Sequence, residues 1–389
     1  MQGQVPRILL RSVNWLGDAV MITPALQRLR EAQPNAHITL LTHEKLVELW
    51  QGHPSINSVL TYAASESVWS IARQLKKHKF DTALILPNSP RSALESWWAR
   101  IPKRIGYARP WRNWSLTHTV PPRETRVIMR KRSVGEISRL NGITRPSRRS
   151  WTKADHASRI TPFPQDAHQI HEYLNLAAAL GADTTPIAPH LHVASSELQA
   201  VATRFRLQSD AAKPFFGLNP GAEYGLAKRW PAERFISAAV EIQRQTGCRW
   251  LIFGGPADRS IAREIETGIQ HAREQSPDGA SLFNLAGKTT LRELCALLKL
   301  CRVVLTNDSG PMHVAAAVGT PVVVPFGSTS PTLTGPGMPG DPRHQLLTAN
   351  APCSPCFLRE CPIDFRCMTG ISVERVVEAT VHAASLQNR

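Results

Sequence analysis

A short apolar run, Val303-Val304-Leu305, breaks into Thr306-Asn307-Asp308-Ser309-Gly310-Pro311-Met312-His313 and resumes as Val314-Ala315-Ala316-Ala317-Val318. It reads as strand, polar turn and helix. Pro311 suits a first helical turn, where its missing N–H would have no intrahelical partner. A chain that passes from strand to helix in this way belongs in an open α/β sheet. The free backbone donors at the helix start then attract anions at the sheet's carboxyl edge. The segment therefore implies a phosphate-bearing ligand.

The same alternation runs through the chain. Ile8-Leu9-Leu10 leads into Asn14-Trp15-Leu16-Gly17-Asp18 and a helical pattern through Leu26 and Leu29, followed by strand candidates Ile38 to Leu41 and Ala83 to Leu86. The pattern restarts after a Pro-rich passage, Thr184 to His190, and a helix near Ser196 to Phe205. Strands recur at Phe215 to Leu218, Trp250 to Phe253, Val303 to Leu305 and Val322 to Val324. Strands alternating with helices predict parallel, helix-covered sheets, and the restart predicts two α/β halves with a ligand-binding cleft between them. At 389 residues and 42% hydrophobic composition the chain can bury two cores. Arg130 to Pro164, rich in Arg, Ser and Pro, reads as a surface excursion with no assigned secondary structure.

The N-terminus runs straight into Arg7-Ile8-Leu9-Leu10-Arg11, and no segment approaches the ~18 uninterrupted apolar residues of a membrane span. A cytoplasmic protein is expected. The formal charge is +16, and between Arg91 and Ile160 seventeen Lys or Arg face four acids. Such an excess calls for an anionic partner, whether nucleic acid, a membrane surface or a phosphorylated acceptor, against the plainer reading of a solvated face. Interleaved Trp97, Trp98, Trp111 and Trp114 favour a membrane interface or sugars. No RNA-binding signature accompanies them, so nucleic acid is not expected.

Two loops in the second half seek anions. Asn219-Pro220-Gly221-Ala222 follows a strand, and Lys228-Arg229-Trp230-Pro231 precedes a helix. Glycine lets backbone N–H groups approach phosphate, while lysine adds a point charge and arginine a fork. With Ser309, Gly310 and His313 this suits a diphosphate. Asp308 does not fit a phosphate cradle, because a carboxylate there is repelled; it is expected to accept sugar hydroxyls or brace the turn. The plain alternatives are a polar strand-to-helix turn for Asp308 to Gly310 and a hydrogen-bonded first-turn histidine for His313. Asp18, after Gly17 and at a helix start, suits a general base kept ionised by the helix, or equally a helix cap.

Cys353, Cys356, Cys361 and Cys367 form a C-x2-C-x4-C-x5-C cluster. Four thiolates can close a structural site for zinc or iron, but the spacing is irregular and Pro352, Pro355 and Pro362 stiffen the loop without metal, so both readings stand. Cys248, Cys295 and Cys301 read as core residues.

These motifs, with Leu86-Pro87-Asn88-Ser89, Asn219 to Pro231, Asn307 to His313 and the cysteine tail with Arg359, Pro362 and Met368, resemble those of the bacterial ADP-heptose:lipopolysaccharide heptosyltransferases, nearest to the heptosyltransferase II group. The resemblance spans nearly the whole chain. It implies a GT-B fold, two Rossmann-like domains facing across a cleft: an acceptor-binding domain over 1–188, a nucleotide-sugar domain over 189–370, and a terminal helix over 371–389 packing back toward the first domain. It implies heptose transfer from ADP-heptose to a lipid A-Kdo-heptose type acceptor in the inner core of lipopolysaccharide, with inversion and no cofactor required for catalysis. The enzyme would sit peripherally on the anionic inner face of the cytoplasmic membrane. By the same resemblance Asp18 is the base, Lys228 holds the donor diphosphate, and the Asp308 to His313 segment grips the donor. Asn88, Ser89 and Arg104 are candidates for the acceptor side, and Leu285 to Thr289 for the adenine. The alternatives are a same-fold transferase with another nucleotide sugar or acceptor, and a non-catalytic basic protein that binds lipid or nucleic acid.

Overall fold

Apolar residues at Ile8, Leu9 and Leu10 are almost fully buried and pair with parallel strands on both sides, Leu9 lying opposite Thr39 on one and Ala83 on the other. This is the pattern of a central strand covered on both faces. The computed structural model describes residues 5–143, 163–164, 166–208, 210, 212–274 and 282–386. Among them the chain divides into two units, one drawn from Met1–Arg126 and His168–His192, the other from Val127–Ala167 and Val193–Arg389.

The first unit runs β1 (Arg7–Arg11), α1 (Leu16–Met21), α2 (Thr23–Ala32), β2 (His37–His43), β3 (Ser58–Tyr62), α3 (Val68–Lys76), β4 (Thr82–Ile85), α4 (Pro90–Trp98), β5 (Lys103–Tyr107) and β6 (His118–Val120). The chain then forms α5 (Val134–Leu140), which belongs to the other unit, before α6 (Gln169–Ala178) returns to pack on α2. The second unit continues with α7 (Ser195–Arg204), β7 (Phe215–Asn219), α8 (Ala232–Thr246), β8 (Arg249–Ile252), α9 (Arg259–Glu274), β9 (Leu282–Asn284), α10 (Leu291–Leu300) and β10 (Val304–Thr306). It ends with α11 (Gly310–Ala317), β11 (Val322–Phe326), α12 (Pro331–Thr334), β12 (Gln345–Thr348), α13 (Arg366–Thr369) and α14 (Val373–Ser385).

The two sheets have orders β3-β2-β1-β4-β5-β6 and β12-β11-β10-β7-β8-β9, and every pairing is parallel. Each is the doubly wound order of a Rossmann sheet, with its topological switch point between the first and fourth strands of the unit. The same backbone bond marks both switch points: Leu86 N donates to Arg11 O in one and Asn307 N to Asn219 O in the other, each at 3.2 Å.

One placement differs from the sequence reading. Residues 134–140 form a capped helix, Ser133 accepting from Glu136 N, because Ile137 and Leu140 are buried in the second unit's core. The rest of that excursion, 144–162 and 165, lies outside the described residues. Helix α14 buries Val376, Val377 and Ala383 in the same core and packs on α8, β11 and β12. The basic run also divides. Arg123 and Arg126 face Glu172 in the first unit, and Arg130 and Arg132 share Glu136 in the second.

Candidate active site

In the second unit, the loops after β7 and β10 lie at the carboxyl edge of adjacent strands and are tied to each other. The Asn219 amide nitrogen donates to Thr306 Oγ1 and Ser309 Oγ, both at 3.0 Å. Asn307 donates through Nδ2 to Pro220 O at 2.7 Å and accepts from Trp230 N at 2.9 Å, so a fully buried side chain joins the Asn219 loop, the Lys228 loop and the helix start. Trp230 is fixed in turn by its indole N–H on Ile371 O at 3.1 Å.

Lys228 ends a short 3-10 turn, Leu226–Lys228. Its Nζ lies 2.7 Å from Asp308 Oδ2, and both side chains are largely removed from water. Thr329, after β11, donates its hydroxyl to the same carboxylate oxygen. The expectation that Asp308 braces the turn or meets sugar hydroxyls thus acquires a partner the sequence reading did not see. The carboxylate orients the lysine. Lys228 also lies over the Tyr224 ring, 4.8 Å from its centroid, and Tyr224 is anchored through its hydroxyl on Phe357 O at 2.7 Å.

Glycine is dictated at two loop positions. At Gly225, with φ near +152°, a Cβ would come within 2.3 Å of the Arg359 carbonyl oxygen. A Cβ on Gly221 would lie 2.5 Å from the Asp258 carboxyl group, the one that receives Arg229 at 3.4 Å. Arg229 is therefore engaged by Asp258, with Ala222 O at 3.4 Å. Helix α11 starts at Gly310 with Pro311 in its first turn, and the Ser309 side chain caps none of its N–H groups. Those donors keep the anion-attracting character of a helix start. His313 is buried in the first turn. In the Leu285 to Thr289 loop, after β9, a Cβ on Gly287 would lie 2.4 Å from Arg259 Nε, and Gly287 O accepts from Arg259 at 2.9 Å.

In the first unit, Asp18 stands half-buried in the first turn of α1. Tyr173, fully buried on α6, hydrogen-bonds it and is itself hydrogen-bonded by Gln169; burial, and then the Asp18 charge, push the Tyr173 phenol far above its ordinary range. Neither residue was singled out from sequence, since a tyrosine on a helix more than 150 residues away carries no local signal. Asn14, in the same loop, accepts from Tyr62 Oη at 2.5 Å. Tyr62 accepts from Arg11 at 2.9 Å, and Arg11 is paired at 2.6 Å with Glu95, which is fully buried on α4.

Asn88 and Ser89 occupy the loop after β4, and Ser89 caps α4 through Ser92 N. The Asn88 carbonyl accepts from the Trp111 indole at 3.4 Å. Arg104 is not brought to them. It lies near the amino end of β5, opposite Ala83, and its guanidinium donates to Ser115 O at 2.7 Å and Ile101 O at 2.5 Å, which braces the turn between them. The arginine that does reach this loop is Arg112, 1% exposed, which donates to Pro87 O and to Tyr107 O and whose guanidinium burial pulls down to a pKa of about 10. Gly106, within β5, was the available signal: a Cβ there would lie 2.8 Å from Arg112.

Cys353, Cys356 and Cys367 are buried in the second unit's core and Cys361 lies at its margin. Burial first, and then the neighbouring thiols, push Cys367 up to about 12. Among the described residues no group of three or more His, Cys, Asp or Glu is arranged to hold a metal. Cys248, Cys295 and Cys301 are core residues, as expected.

A model of glycosyltransferase family 9 (heptosyltransferase) matches residues 68–365, more than half the chain. The chain belongs to that family. This heptosyltransferase-family protein is a glycosyltransferase. It is 28% identical over 337 residues to the lipopolysaccharide heptosyltransferase 2 of Salmonella typhimurium (strain LT2), covering 85% of each chain. Its fold is similar to that of E. coli ADP-heptose LPS heptosyltransferase II, with a TM-score of 0.73 and 24% identity over 98% of this chain and 100% of the other. The architecture is thus GT-B. A more distant fold neighbour is the iron-containing dodecameric glycosyltransferase TibC of E. coli H10407, at TM-score 0.52 and 12% identity over 99% of this chain and 77% of that one.

Proposed function

We propose that this family 9 glycosyltransferase moves heptose from ADP-heptose to a lipid A-Kdo-heptose type acceptor in the inner core of lipopolysaccharide, as the names of its relatives suggest. The observation that carries the donor side is the meeting, at one sheet switch point, of Lys228 held by Asp308 with the uncapped start of α11. A diphosphate laid on that helix start would receive backbone N–H groups and the lysine charge, with Arg229 and Gly221 lining the neighbouring loop. Asp18 is the base of this reading. It takes the proton of an acceptor hydroxyl as the oxygen attacks the anomeric carbon. The bond from that carbon to the β-phosphate oxygen breaks, and ADP departs with the electron pair. One displacement inverts the centre. The Tyr173 hydrogen bond holds this carboxylate in place for such a role.

Because the acceptor is a lipid, the enzyme would work in the cytoplasm, peripherally on the inner membrane's anionic face; no helix among the described residues is long and apolar enough to cross a membrane.

The test is a panel of nucleotide sugars against a defined core acceptor. ADP-heptose should be preferred, Lys228→Ala should raise the donor Kd, and Asp18→Asn should lower turnover by about 10²- to 10⁴-fold with donor affinity unchanged. Preference for a donor other than ADP-heptose, or equal losses of donor affinity in the two variants, would contradict the assignment.

A further inference from the structure

Five tryptophans form a connected surface on the first unit. Trp69 on α3 stacks on Trp98 of α4 with ring centroids 3.9 Å apart and planes 11° from parallel. Trp97 lies 6.2 Å from Trp98 and 5.5 Å from the edge-on ring of Trp114, whose indole N–H donates to Trp111 O. Trp98 is seated against the unit's core, which anchors the group, while Trp69 and Trp114 are each 61% exposed and Trp111 54%. Large aromatic side chains left this open in a cluster mark a contact surface.

Cations frame it. Arg73 and Lys76 follow Trp69 at i+4 and i+7, on one stripe of α3, with Lys77 just beyond the helix and Arg100 two residues after Trp98. All four are exposed, and none forms an ion pair with another described residue. Aromatic rings beside unpaired cations fit a sheet of anionic headgroups, where indoles settle at the boundary between acyl chains and water. The stacked pair argues against a surface that reads bases or sugars. Such a surface needs free ring faces, and Trp69 and Trp98 each spend one face on the other.

We infer that this surface, carried on α3, α4 and the loop after β5, docks the enzyme on an anionic lipid bilayer. The inference rests on the membrane-side reading above and names the face that makes the contact. The experiment is co-sedimentation of the full chain with phosphatidylglycerol vesicles and with phosphatidylcholine vesicles, together with transfer to a water-soluble core oligosaccharide. Wild type should bind the anionic vesicles only, and added salt should weaken that binding. Trp69→Ser/Trp114→Ser should lose at least tenfold in vesicle binding, and Arg73→Glu/Lys76→Glu/Lys77→Glu on the order of a hundredfold, with transfer to the soluble acceptor unchanged in both. If wild type binds neither vesicle, the membrane-side reading and this inference fall together. If wild type binds and the variants bind equally well, only this surface is overturned. Loss of soluble-acceptor transfer with vesicle binding intact would make it a sugar subsite and overturn the lipid assignment.

Discussion

A lysine held 2.7 Å from a buried carboxylate meets its ligand with its orientation already chosen. Removing one member of such a pair strands the other charge, a loss of about 3 kcal/mol where both groups are mostly desolvated. Asp308→Ala should therefore destabilise the second unit more than Lys228→Ala/Asp308→Ala does. Chemical denaturation of the three variants measures the coupling, and strictly additive losses would show that the pair is not a unit. The lysine and the Asp-Ser-Gly turn were legible in the sequence because their residue types match what phosphate requires. Their pairing was not. Counting Asp308 only against a phosphate makes it repulsive, and the lysine that answers it lies 80 residues upstream, brought near by the pairing of β7 with β10. Thr329 was out of reach for the same reason.

At the scale of elements, the interior strands other than β5 announced themselves and the edge strands did not. β1, β2, β4, β7, β8, β10 and β11 all carry apolar runs that are buried in the sheets. The unassigned strands are short or mixed in character. β9 has three residues, β12 is only half-buried, and β5 opens on Lys103 and Arg104 and contains Gly106. Strands toward a sheet's edge need less apolar surface, so their signal is weaker. The arginine that ends β1 is the exception within an apolar strand, and its fully buried partner Glu95 links α4 to the loop bearing Asn14 through Tyr62. Glu95→Ala should cost about 3–5 kcal/mol of stability, since it leaves the Arg11 guanidinium buried and unpaired. A thermal or denaturant midpoint close to wild type would show that water replaces the carboxylate.

Across the whole molecule, each unit has, among its described residues, a histidine whose pKa folding lowers. Burial, and then His190, pull His53 down to about 4 in the first unit; in the second, burial outweighs Asp341 and brings His344 to about 4. An unfolded chain binds these protons near pH 6.5, so between about 6.5 and 4 it holds more protons than the folded one and stability falls as the pH falls. Each histidine contributes roughly 1–3 kcal/mol that is present above that window and lost through it. Unfolding midpoints measured from pH 7.5 to 4.5 should drop for both units, and His344→Gln should flatten the drop for the second. A pH-independent midpoint would contradict the assignment.

The path of the chain sets an order of assembly. It leaves the first unit after Arg126, re-enters at His168 and leaves for good after His192. Helix α6, returning late, brings Ile170, Leu174 and the tyrosine that holds Asp18. On a ribosome, the first sheet must therefore wait for a segment made after part of its neighbour has emerged. A fragment cut at residue 126 would lack both the apolar cover of α2 and the partner of its proposed base, so the leading lobe cannot be studied as a simple N-terminal truncation.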